Sequence, residues 1–154
     1  MLDAYTLWKV AHLIAMTAMV GATIINGILH LQAKSSTPQQ AETLLRAILR
    51  INRLIMLPSL LAIPITGYFL ANTIGYALTD TWLLVSAILT LALIAAFWIG
   101  AIAEKQLHVI AADSETAALG QSYHHVFKRV APIGTGALLL SIVAIVLMVG
   151  KPVL

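Results

Sequence analysis

The chain has 154 residues, of which 60% are hydrophobic and only 10% charged, with a formal net charge of +3 and a mean hydropathy of +0.95. Soluble domains carry about 25% charged residues, so a water-soluble globule is excluded, and the length suits one domain covering residues 1–154. The absence of cysteine excludes disulfides, thiolate metal sites and a cysteine nucleophile. The basic residues lie between apolar runs, which argues against a nucleic-acid surface.

Four apolar segments follow one another, at about 8–31, 54–76, 82–103 and 130–150. The first is not expected to be a cleaved signal. Asp3 precedes it with no basic residue, and the run exceeds the usual ~7–15 residues. After a polar linker, Thr37, Pro38 and Gln40 form a capping box with proline at the first helical position. The helix that starts there is expected to run unbroken into the second segment. Glu42, Arg46, Arg50 and Arg53 share one face of it, and Leu45, Ile48 and Leu49 another. Pro58 and Pro64 should kink its apolar part, and Gly75 lies near its end. Asp80 or Thr81 can cap the third helix, which should continue to Ala112. Asp113 or Ser114 is expected to begin the fourth.

Segments of this length span the ~30 Å hydrocarbon core of a bilayer, which gives an all-α transmembrane four-helix bundle. Lys34, Arg46, Arg50, Arg53, Lys105, Lys128 and Arg129 fall in the two long connections, and Lys9 and Lys151 at the other end. The positive-inside rule then sets both termini outside. Multi-pass residence in a bacterial cytoplasmic membrane and a homo-oligomer are expected, with glycine and alanine at the helix contacts.

Five histidines carry the candidate chemistry. His12 and His30 are 18 positions apart in the first segment, five turns on one helix face, roughly 27 Å along the axis. Polar, ligand-capable side chains inside a bilayer mark functional sites. A hairpin about Asp113 would bring Glu104 level with His124, one turn from His108, so His30, Glu104, His108, His124 and His125 could gather at one membrane edge. Imidazole suits haem iron, and several nitrogens with a carboxylate suit zinc or iron. The plainer alternatives are interfacial histidines without a ligand, and a His12 hydrogen-bonded across the bundle. Asn26, Asn72 and Thr66 are its candidate partners or interhelical glue. Met16, Met19, Met56 and Met148 could add a weak sulfur ligand for haem or copper, although methionine first of all packs. No phosphate loop and no GxSxG occur, and no ionisable residue near a midplane suggests a transporter.

Trp8-Lys9-Val10-Ala11-His12 with Gly21 nine residues on, Arg53-Leu54-Ile55-Met56-Leu57-Pro58, and Phe127-Lys128-Arg129 before an apolar run ending Gly150-Lys151-Pro152 resemble the first, second and last helices of HemJ-type protoporphyrinogen IX oxidases. The chain resembles still more a related bacterial family of four-helix integral membrane proteins of unknown function. The resemblance implies a haem b on His12, with Arg53 and Lys151 at propionate or catalytic positions. A second haem near His30 would allow electron transfer across the bilayer. Porphyrin, quinone or another redox protein would be the partner. Two other outcomes are carried: protoporphyrinogen IX oxidation itself, and a cofactor-free membrane scaffold or assembly subunit.

Overall fold

The structure, a computed structural model, describes residues 3–114 and 118–150. The described residues form helices α1 (Ala4–Lys34), α2 (Pro38–Ile51), α3 (Leu57–Ile74), α4 (Thr81–Ala112) and α5 (Gln121–Gly150), with a π-helical turn, Asn52–Met56, joining α2 to α3. Four helical stretches are long and apolar enough to cross a membrane, α2 and α3 together making one of them. In hydrocarbon no water can satisfy a backbone N–H or C=O, so a helix, which bonds its own backbone, is the form these sequences take.

Each start and stop has a local cause. Asp3 accepts a hydrogen bond from the Thr6 N–H at 2.9 Å and opens α1. The expected capping box opens α2: Gln40 N–H donates to Thr37 Oγ1 at 3.5 Å, and Thr37 N–H to Gln40 Oε1 at 3.3 Å. Gly75 closes α3 at φ +89°, a conformation that costs a residue without Cβ nothing. The N–H groups of both Gly75 and Tyr76 then return to the Ala71 carbonyl at 3.1 Å.

Two sequence expectations need correction. Asp113 caps the C-terminus of α4 and starts nothing; its N–H bonds the Val109 carbonyl at 2.9 Å, and α5 begins only at Gln121, after Gly120. Asp80 occupies the N-cap position of α4 without a side-chain capping bond. The second span is continuous, as expected, but it passes through the π turn, where Leu57 N–H reaches back five residues to the Asn52 carbonyl. The cause sits one residue further on. Pro58 has no N–H, and in an α-helix its ring would press on the Leu54 carbonyl four residues back. A widened turn relieves that clash.

α1 packs along α3 and α4 along α5, while α3 and α4 barely meet. The amphipathic α2 closes one end of the bundle against α1 and α4. At that end, which carries the basic connections, Leu45, Ile48, Leu107 and Tyr123 are fully buried. A second core of Ala15, Met19, Leu60, Ile63 and Leu93 fills the middle. The outward faces are apolar as well: Ile14, Ile88, Leu91 and Val146 are all more exposed than buried. Hydroxyls in the spans bond back to their own helix, as Thr90 does to the Ser86 carbonyl and Ser141 to the Ala137 carbonyl. At the opposite end Trp8 stacks on Phe69 with centroids 4.5 Å apart, and Tyr76 meets Trp82 edge-on at 5.2 Å.

The two apolar cores differ from the apolar outward faces by packing rather than by polarity. Leu107→Ala, at a fully buried position, is expected to lower the unfolding free energy by about 2–5 kcal/mol. Leu91→Ala, on an outward face, should change it by less than about 1 kcal/mol, because lipid or detergent fills the space. Denaturant-induced loss of helicity in detergent measures both.

Candidate functional site

The basic end of the bundle holds a buried polar quartet. Glu104 on α4 is its hub. His30 Nε2 lies 3.0 Å from Glu104 Oε1, and the Asn52 amide donates to Glu104 Oε2. Asn26 donates to the Asn52 carbonyl at 2.7 Å. The four residues arrive from three pieces of backbone. Asn26 and His30 are one turn apart on α1, and the π turn aims Asn52 inward while Arg53 beside it faces out. Phe127 covers His30 edge-on, centroids 6.3 Å apart. With the Asn52 amide and the His30 ring both aimed at Glu104, the carboxylate accepts from His30 Nε2–H. That leaves His30 Nδ1 as the lone-pair nitrogen, and this atom is buried without a partner, as is Asn26 Oδ1.

The quartet forms one end of a cavity of about 360 Å³ between α1, α4 and α5. The rest of the wall is largely apolar, with Met19, Met56, Leu60, Phe97, Gly27, Gly100 and Gly134 among its residues, and the hydroxyls of Thr23, Thr135 and Ser141 in it bond back to their own helices. A Cβ built on any of these three glycines would meet nothing within 4 Å. Ile28 and Leu31, both outward-facing on α1, also border the cavity, so it opens sideways toward the lipid phase. Cavities of about 300–1,000 Å³ with few, convergent polar groups are ordinary ligand sites.

His12 lies apart from this cavity, about two turns beyond Met19, the nearest α1 residue in its wall. It is buried, with Nδ1 2.9 Å from Thr66 Oγ1 and Nε2 3.5 Å from Met148 Sδ. Thr66 is thus the partner among the three polar residues considered from sequence, Asn26 serves the quartet, and Asn72 is exposed. Gly67 makes room for the ring: a Cβ there would stand 3.2 Å from His12 Cε1.

The expected five-residue cluster is divided. Glu104 takes His30, whereas His108 turns to Glu42, Nε2 to Oε1 at 3.1 Å, and Glu42 also pairs with Arg46. His124 sits edge-on to Tyr123, and His125 is exposed. Among the described residues no three of His, Asp and Glu gather as a metal set. The reason is α2, which inserts Glu42 between the two long helices and draws His108 away. Arg53 is exposed and is not among the cavity-lining residues, and Lys151 lies outside the described residues.

Asn52 was not singled out by sequence. Its signal is an amide six residues ahead of Pro58, where a π turn is forced and a polar side chain is turned inward. Asn52→Leu leaves Glu104 short of a donor and Asn26 short of an acceptor, and is expected to lower stability by about 1–3 kcal/mol. Asn72→Leu should shift it by no more than about 0.5 kcal/mol. The same unfolding assay distinguishes the two.

No curated protein and no solved structure is found similar to this chain. Residues 6–152 match a family described as predicted integral membrane proteins, DUF2269. With four spanning helices in the fold and nearly the whole length matched, the chain belongs to that integral membrane protein family.

Proposed function

We propose that the chain is a membrane haem b protein serving electron transfer or oxidation, with the haem in the α1–α4–α5 cavity and His30 as its axial ligand. One observation carries the reading. An unpartnered, buried imidazole nitrogen belongs to a residue in the wall of an apolar, side-opening cavity. Glu104 holds the other nitrogen of His30 and so fixes ring orientation and tautomer, which is what a carboxylate behind a metal-ligating histidine does. Asn52 and Asn26 hold Glu104 in turn. The glycine-flattened, sulfur- and aromatic-lined wall suits a flat apolar ring, and excludes water from it. Haem bound there would supply a one-electron iron couple.

His12, the position implied by the HemJ-type resemblance, fits a macrocycle less well. Its free nitrogen already lies 3.5 Å from Met148 Sδ, and the void bordered by Met148 is only about 20 Å³. Oxidation of a porphyrin entering from lipid is the finer reading that the lateral mouth of the cavity favours. The positive-inside rule supports a cytoplasmic basic end, both termini outside, and a bacterial cytoplasmic membrane as the location.

The test is the absorption spectrum of detergent-purified protein, oxidised and reduced, after expression with a haem precursor. Near one haem per chain, with a Soret band and sharp reduced bands, is expected. His30→Ala should remove at least nine-tenths of it, and His12→Ala less than half. Colourless wild-type protein without iron overturns the proposal and leaves a cofactor-free scaffold. Loss confined to His12→Ala moves the ligand to α1's other end. Rescue of cells lacking protoporphyrinogen oxidation, abolished by His30→Ala, would establish the finer reading.

A further inference from the structure

We infer that His12 and Met148, with Met16, form a separate binding site for a soft monovalent metal ion of the Cu(I) type, in the half of the bundle away from the cavity. Thr66 Oγ1–H donates to the Ala62 carbonyl at 2.7 Å, which leaves its oxygen to accept from His12 Nδ1–H at 2.9 Å. His12 Nε2 therefore carries a lone pair. It faces Met148 Sδ at 3.5 Å, and a thioether has no proton to offer. Two electron-pair donors face each other inside an apolar bundle with nothing between them to share, and a cation is what such a pair takes.

The spacing fits an ion. Metal–nitrogen and metal–sulfur bonds of about 2.0 and 2.3 Å, meeting at a tetrahedral angle, set the two donors about 3.5 Å apart. The same two bonds in a straight line would need about 4.3 Å. Met16 stands one helical turn from His12 and borders, with Met148, a void of about 20 Å³ beside the His12–Met148 contact that His12 itself does not line. That is enough for one water-sized occupant, and its flexible thioether can supply a further sulfur.

The donor chemistry selects the ion. Imidazole with thioethers suits Cu(I), whereas Mg²⁺, Ca²⁺ and Mn²⁺ take oxygen ligands. No carboxylate or thiolate contributes here, and the cost of burying charge rises as its square. A single positive charge is therefore tolerated where an uncompensated Zn²⁺ is not. Thr66 and Gly67, adjacent on α3, hold the imidazole from its other side: one bonds Nδ1, the other gives the ring its space.

The experiment is a competition titration of detergent-purified protein, made without haem precursor, with Cu(I) against a chromogenic Cu(I) chelator under reducing conditions. Ag(I) serves as the redox-inert probe. One ion per chain is expected. Met148→Leu, a volume-conserving change, and His12→Phe should each weaken binding at least tenfold, and Met16→Leu several-fold. His108→Ala should leave it unchanged, and Zn(II) should not be retained. X-ray absorption of the copper-loaded protein should show nitrogen and sulfur neighbours together. Failure of wild-type protein to retain Cu(I) or Ag(I) overturns the inference, as does wild-type affinity in Met148→Leu. In the first case the His12–Met148 contact is a hydrogen bond from a protonated Nε2. Haem content in a separate preparation is independent of this result.

Discussion

A carboxylate buried between membrane helices has no water to turn to, and the arrangement of this bundle follows from how Glu104 is satisfied. Its two oxygens take an imidazole N–H from α1 and an amide from the π turn. Losing either would leave a buried carboxylate oxygen without its donor, a cost of about 1–3 kcal/mol or more. The hub therefore fixes the register of three backbone segments at once. Apolar packing among helices in lipid lacks the hydrophobic drive it has in water, so a directional polar tie of this kind specifies which helix faces meet. The π turn belongs to the same constraint: it accommodates Pro58 and aims Asn52 at Glu104.

Satisfying Glu104 also shapes what lies beside it. His30, Asn52 and Asn26 are held at one end, and the pairwise packing of α1 with α3 and α4 with α5 leaves a gap between the pairs. Glycines at Gly27, Gly100 and Gly134 keep that gap from being filled by side chains. The result is a polar end on a largely apolar chamber bordered on its open side by the outward-facing Ile28 and Leu31. At the other end of α1 the chemistry is of another kind. His12 is oriented by Thr66 and faces sulfur, with no carboxylate among its partners. The two histidines that share one helix face thus serve environments of different hardness, one tied to oxygen and the other to a thioether.

The sequence motifs direct attention to His12, Arg53 and Lys151. The cavity directs it to His30, Glu104, Asn52 and Asn26. Membership of the integral membrane family DUF2269 agrees with the fold and leaves that choice to experiment. At the basic end α2 lays its Glu42–Arg46 pair over the bundle, and Glu42 there also meets His108 of α4.

The sequence by itself determined the four spanning helices, the capping box at Thr37, the end at Gly75 and the length of α4, because these depend on local apolar runs, caps and turn chemistry. It also marked His12, His30 and Glu104 as the polar exceptions within apolar stretches. Only the tertiary structure decided which of them meet. His30 and Glu104 come together, while His108 is claimed by Glu42 and His12 by Thr66 and Met148. The physical reason is that pairing across a bundle depends on helix rotation and on which helices are neighbours. A π turn changes the rotation by an amount that periodicity alone does not carry, and the insertion of α2 changes the neighbours. For the same reason Asn52 passed unnoticed in the sequence and the cavity left no trace there, since a space between helices is a property of their packing and of no single segment.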